Sequence, residues 1–308
     1  MNINNDIIYS TFDKDFFLEK EIDGFEVTKK LQKIKAIEID LLRNFDKVCK
    51  KHKIKYILWA GTLLGAIRHH GFIPWDDDLD VCLNRQEFEK LLEISKDEFE
   101  DPYFFQTYET DRKFFFPYAR LRNSNTTGII KCDYSSNYNN GIYIDIFVLD
   151  GFPMNDKEYL CFMKKNDFLL RMVKLFDNKE SYDKNIIKNI IKSIIKNLLN
   201  RDYFIEKYIS NIKKYSISNK IGLVTHGKDL CKKYWCFSQD FYETTCIDYY
   251  DIKVSIPKEY DKILSNMYGN YMRLPPVEER GKWHDDSIIF DPDIPYKEYM
   301  KKNDVYEK

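Results

Sequence analysis

The chain has 308 residues, 44% hydrophobic and 32% charged, which is enough to bury a large core and too apolar for a disordered chain. A formal net charge of −1 excludes the basic surplus of a general nucleic-acid binder, so no nucleic-acid partner is expected. No apolar stretch is long enough to cross a bilayer, and the first residues lack a basic region followed by an apolar run, so a cytoplasmic location is expected. Seven scattered cysteines agree with a reducing compartment, and Cys231, Cys236 and Cys246 miss the short spacing of a zinc site.

Along the chain, residues 29–52 are predicted to form an amphipathic helix with Leu31, Ile34, Leu41, Leu42, Phe45 and Val48 on one face. Residues 54–60 predict a buried strand ended by Gly61, 62–70 a short helix, and 79–83 a second strand. Asn84 stands as a helix cap with Glu87 in capping-box position, ahead of the inward-facing Phe88, Leu91 and Leu92. Residues 141–149 read as a central strand whose apolar run is interrupted only by Asp145. Residues 157–213 hold no Pro or Gly and are helical in pattern. The fold class expected is α+β or mixed α/β, with a small sheet carrying the acidic residues. The organisation expected is an N-terminal helical segment (1–53), a core (54–156), a helical insertion (157–225) and a C-terminal part (226–308) that completes the core.

Chemistry concentrates between Leu58 and Val81, where a glycine turn precedes Asp76, Asp77, Asp78 and Asp80. Carboxylates this dense repel one another unless a cation holds them. If 76–83 is extended, Asp76, Asp78 and Asp80 share one face while Leu79, Val81 and Leu83 enter the core. Two alternate carboxylates with phosphate and water oxygens suit Mg2+, or Mn2+. Asp145 is the expected third partner, as metal ligand or base, because a lone carboxylate in an apolar strand is costly without one; the alternative is a buried Asp satisfied by backbone amides. Gly61 and Thr62 open a helix N-terminus that can cradle phosphate, and Arg68 on the same helix can bind phosphate bidentately. An EF-hand reading fails at Val81, where that loop needs glycine. A dehalogenase-type nucleophile pair at Asp78 and Asp80 fails because Trp75-Asp76-Asp77 replaces the apolar strand that should precede it.

Three blocks together, Trp59–Val81, Gly141–Asp150 and Tyr268–Pro276, resemble the LicD family. The resemblance spans about residues 54–284 and rests most heavily on the long tryptophan-and-aspartate block. It implies a nucleotidyltransferase-like fold, with a small mixed sheet flanked by helices and helical additions. It further implies transfer of a phospho-substituent, typically phosphocholine from CDP-choline, to a glycan such as teichoic acid, capsule or lipopolysaccharide, or to its lipid-linked precursor. Fukutin-type proteins, which use CDP-ribitol, share the aspartate block. By the same resemblance Gly61 and Thr62 match the phosphate-cradling turn, Asp78 and Asp80 the metal pair, Asp145 the third carboxylate and Asp76 a further acidic position. Tyr268, Gly269, Arg273, Pro275, Arg280 and His284 match the C-terminal signature, in which Asn270 departs from the usual Asp. Arg120 and Arg122, alternating on an expected strand, are candidates for the donor's phosphate or cytosine.

A choline head group needs an aromatic cage, for which Tyr103, Phe104, Phe105, Phe114, Phe115, Phe116, Tyr118, Tyr234 and Trp235 are candidates; the alternative for each is core packing. Residues 184–201 repeat Ile or Leu pairs every four residues with lysines between, a basic amphipathic helix that either lies on the inner face of an anionic membrane or packs on the core. Other head groups (phosphoethanolamine, aminoethylphosphonate, glycerol or ribitol phosphate) fit the same motifs, and so does a non-catalytic, metal-stabilised binding module.

Overall fold

The computed structural model of the chain describes residues 3–131, 138–176, 200–216, 218–281 and 288–303. Two compact units divide it, one of residues 1–148 with 240–308 and one of residues 149–239.

In the larger unit, helix α1 (Ile3–Ser10) and a hairpin of β1 (Lys20–Ile22) and β2 (Phe25–Val27) precede the long helix α2 (Lys29–Lys51). Thr28 caps α2 by accepting the Leu31 N–H, and Ile34, Ile37, Leu41, Leu42, Phe45 and Val48 recur at helical spacing and are buried. They share one core with the sheet β3 (Ile57–Leu58), β4 (Asp80–Asn84), β5 (Tyr103–Gln106), β6 (Ala119–Asn123) and β8 (Ile142–Gly151), ordered β3-β4-β8-β6-β5; β7 (Thr127–Ile130) pairs instead with Ile288–Asp291. Helix α3 (Ala60–Arg68) follows β3, and α4 (Arg85–Glu98) follows β4. The hairpin Thr244–Tyr249 with Ile252–Pro257 and the helix Tyr260–Tyr268 complete this unit's core. The expected mixture of helix and sheet is thus present.

The strands on either side of the glycine turn and the Asn84 cap differ from their sequence expectation. The strand expected at 54–60 shrinks to Ile57–Leu58, because the Ile54 N–H closes the end of α2 on Cys49 and the Lys55 N–H is taken by the Glu87 carboxylate. Glu87 therefore completes only half of a capping box: its own N–H is accepted by Asn84, but its side chain serves Lys55. The strand after the acidic motif begins at Asp80, and residues 76–79 are irregular because the Asp76 N–H turns back onto the Ile73 carbonyl.

In the smaller unit the end of β8 pairs with Lys220–Gly222, which pairs with Trp235–Phe237. Helix α5 (Asp156–Leu175), capped by Asn155, packs on the helix Arg201–Ile212 through the buried pair Asn166 and Asn211. Residues 177–199, and with them nearly all of the basic repeat expected at 184–201, lie outside the described residues.

Candidate functional site

The site grows from the junction of β3, α3 and β4. Trp59, fully buried, donates its backbone N–H to Asp80, while the Asp80 N–H is received by Thr62 Oγ1 at 2.8 Å. The turn between β3 and α3 is made by Ala60, whose φ of +47° is unusual for a residue with a side chain. Gly61 lies close against the acidic turn: a Cβ there would stand 3.0 Å from Asp76 Oδ2, so that carboxylate would have to shift. At Gly65 a Cβ would lie 2.5 Å from the Gly71 carbonyl, so α3 can approach the 71–73 segment only with glycine at that point. On the other side, the buried Lys35 of α2 donates to the carbonyls of Ile73 (3.1 Å) and Pro74 (2.8 Å), fixing the entry to the acidic turn. Burial holds the Lys35 ammonium down at about 8, against the opposing pull of Asp76, Glu38 and Asp77.

Asp76, Asp77 and Asp78 are half-buried and Asp80 is buried. The Asp80 carboxyl is pushed well above the usual carboxylate range, first by burial and then by Asp78, Asp145 and Asp76, with Arg120 opposing. Asp76, Asp78, Asp80 and Asp145 therefore form one electrostatic group, brought together from two distant segments. As they stand, no three or more Asp, Glu, His or Cys side chains among the described residues are arranged to hold a metal ion. The donor chemistry nonetheless suits a hard divalent cation, being all carboxylate oxygen and mutually repulsive.

Asp145 is fixed at both ends. Its N–H bonds to the Leu79 carbonyl at 3.0 Å, and its Oδ1 accepts from Arg120 Nε at 2.7 Å across the β6–β8 register. The Arg120 guanidinium is also enclosed by aromatic rings, lying 4.2 Å from the Tyr143 centroid, 5.4 Å from Phe114, 5.9 Å from Tyr118 and 6.0 Å from Phe116. Its Nη1 is buried without a hydrogen-bond partner. Arg122, two residues on, is fully buried and committed to Gln106 Oε1 and the Gly141 carbonyl, both at 2.6 Å, and burial lowers it to about 10. The two arginines thus share a face of β6, but only Arg120 reaches the acidic group.

The C-terminal block meets the same region. Arg68 Nη1 donates to the Tyr271 carbonyl at 2.6 Å, so the arginine of α3 ties down the segment that follows Gly269, whose φ of +66° ends the helix Tyr260–Tyr268. Arg280 bonds twice to the Pro275 carbonyl, also reaches the Asp23 carbonyl, and stacks 5.1 Å over Trp75. His69 lies edge-on to Trp75 and 3.5 Å from Asp23, and burial with Arg68 nearby lowers it to about 4. Tyr268 and Arg273 lie in this segment, Arg273 lending its carbonyl to Arg68 at 3.5 Å; His284 falls outside the described residues.

Of the aromatic candidates, Phe114, Phe116 and Tyr118 gather around Arg120, and Phe115 stacks on Phe116. Phe105 stacks on Phe99 in the core, and the Tyr103 hydroxyl donates to Asp40. In the smaller unit Trp235 lines a cavity of about 250 Å3, but Lys220 Nζ already stands 4.3 Å over its ring. Tyr143 and Glu38 went unnoticed as site residues in the sequence. Tyr143 was hidden in an apolar run; Glu38 had a signal, a carboxylate inside the apolar stripe of α2.

Residues 53–179 match the family model for the LicD/FKTN/FKRP nucleotidyltransferase domain. The chain is 28% identical over 263 residues to the lipopolysaccharide cholinephosphotransferase LicD of Haemophilus influenzae, covering 82% of this chain and 96% of that protein. An uncharacterized Rickettsia typhi protein is 37% identical over 78 residues, 24% of each chain, and one from Rickettsia prowazekii is 41% identical over 61 residues, 20% of this chain and 23% of its own. No helix among the described residues is long and apolar enough to cross a membrane.

Proposed function

We propose that the chain transfers phosphocholine from CDP-choline to a hydroxyl of lipopolysaccharide or a related cell-surface glycan, releasing CMP; the match of residues 53–179 to the LicD/FKTN/FKRP nucleotidyltransferase domain and the similarity of most of the chain to a lipopolysaccharide cholinephosphotransferase support this reading. The observation that carries this reading is the buried Asp80, raised by Asp78, Asp145 and Asp76 and held by Thr62 at the start of α3. A group of carboxylates that repel one another in a folded core has a reason to persist if a cation neutralises it during turnover.

Asp78 and Asp80, with Asp76 and Asp145, would hold Mg2+ or Mn2+; such an ion supplies charge neutralisation to a pyrophosphate and its leaving group. The turn at Gly61 and Thr62 presents the first amides of α3 to phosphate oxygens. Arg120 orients Asp145 through Nε and keeps a buried, unpartnered Nη1 for a phosphate oxygen. In the reaction the acceptor hydroxyl forms a bond to the phosphorus that carries choline, the bond from that phosphorus to CMP breaks, and the hydroxyl proton passes to Asp145. We assign the acceptor to a glycan or its lipid-linked precursor, and a cytoplasmic site at the inner face of the membrane is the location that suits it.

A thermal-shift panel of CDP-linked donors with Mg2+, followed by an assay of CMP release with candidate glycans, tests this reading. CDP-choline is expected to give the largest shift and to support release. A larger shift and release with CDP-ribitol or CDP-ethanolamine would reassign the head group, and no response to any CDP-linked donor would overturn the reading.

A further inference from the structure

Glu38 lies on α2, only 1% exposed, and its Oε2 has no hydrogen-bond partner. It sits one turn after Lys35, on the face of α2 that grips the carbonyls of Ile73 and Pro74 and so abuts the acidic turn. Around it the helix buries Ile34, Ile37, Ile39, Leu41 and Leu42. The carboxylate is costly there, and the Lys35 ammonium donates instead to the backbone carbonyls of Ile73 and Pro74. The charges that face Glu38 are those of the acidic motif: after burial itself, Asp78 and Asp77 raise it most, Lys35 opposes, and Asp80 adds to the rise. A second polar group feels the same charges: the Tyr249 hydroxyl, fully buried and without a partner, is raised first by burial and then by Tyr250, Glu38, Asp76 and Asp78.

We propose that Glu38 is a positioning carboxylate of the divalent-cation site, standing behind Asp78 and Asp77 so that cation affinity at the acidic turn depends on its charge. This rests on the cation reading given above. An orphaned carboxylate oxygen on the buried helix face that meets the acidic turn is what such a role requires and what simple packing would eliminate. With the cation absent Glu38 is a liability to the fold; with it bound, Glu38 becomes part of what the cation neutralises.

The test is Mn2+ binding to the full chain by calorimetry, with melting temperatures in EDTA and in saturating Mn2+, for wild type, Glu38→Gln, Glu38→Asp and Asp78→Asn. Glu38→Gln is expected to bind Mn2+ at least fivefold more weakly, to melt in EDTA at or above the wild-type temperature, and to gain less from Mn2+. Glu38→Asp keeps the charge and is expected to keep most of the affinity. Wild-type affinity in Glu38→Gln, or equal losses of melting temperature with and without Mn2+, would overturn the role; so would equal losses of affinity in Glu38→Asp and Glu38→Gln. If Glu38→Gln does not fold, Glu38→Asp decides alone: retained affinity supports the role, and an affinity as low as that of Asp78→Asn overturns it. A wild-type chain that binds no Mn2+ would bring down the cation reading itself, whereas binding lost in Asp78→Asn but intact in Glu38→Gln would remove only Glu38.

Discussion

The acidic turn and strand β6 bring charge into the same core in opposite ways. At β6, Arg120 meets Asp145 and a ring of aromatic faces, and Arg122 meets Gln106 and a backbone carbonyl. At the turn, the strongest side-chain influences on Asp80 are other carboxylates. Compensated charge holds a fold together, and charge gathered against its own sign stands ready for something the fold does not itself supply. Asp145 belongs to both regions, which makes it the point where architecture and chemistry meet.

The sharpest way to break this contrast is at Asp80. Asp80→Asn removes a like charge from the turn, so product formation is expected to fall by a factor on the order of 10^3. Its metal-free melting temperature should hold or rise, because repulsion is relieved; a large drop would mean that Asp80 is structural. On the compensated side the order of effects reverses. Arg120→Ala leaves Asp145 without its partner in the core, and urea unfolding should show a loss of about 3–5 kcal/mol. A variant as stable as the parent would show that the pair is dispensable.

A smaller effect is expected where the two regions are joined. Thr62→Val leaves the buried Asp80 N–H unsatisfied, costing about 1–3 kcal/mol by urea unfolding and misplacing Asp80, so turnover should fall more than stability alone explains. If turnover is unchanged, the hydroxyl serves only the fold. The smallest effect concerns His69, in the closed cluster of Arg68, Asp23 and Trp75. Its folded value of about 4 lies below the ordinary 6.5, so the folded chain binds fewer protons in that window. Stability is therefore expected to decline as pH falls from 6.5 toward 4, and His69→Gln should flatten that part of a melting-temperature profile. An unchanged profile would show that His69 is not the group responsible.

Much of the site was legible before the structure. The density of aspartates and the isolation of Asp145 in an apolar strand are local signals, and the structure brings both into one group. Helix α2 and the Asn84 cap follow from periodicity and capping chemistry, and both lie within a residue of expectation. Strict alternation through residues 76–79 did not follow, because a turn hydrogen bond from Asp76 to Ile73 overrides strand geometry there. The left-handed residue of the turn is Ala60, while the missing Cβ of Gly61 leaves room for the Asp76 carboxylate. Alternation placed Arg120 and Arg122 on one face of β6, but it carries no information on depth, and Arg122 lies wholly inside the core. Glu38 could be read only by asking why a carboxylate interrupts a buried stripe.

The account stands most directly on transfer itself. Purified chain, CDP-choline, Mg2+ and a lipopolysaccharide acceptor can be followed by mass spectrometry of the glycan together with CMP release, for wild type and for Asp78→Asn. Phosphocholine is expected on the glycan, with one CMP for each group transferred and no product from Asp78→Asn while that variant melts as the parent does in EDTA. Equal turnover by Asp78→Asn, or CMP released with no glycan modified, would contradict it.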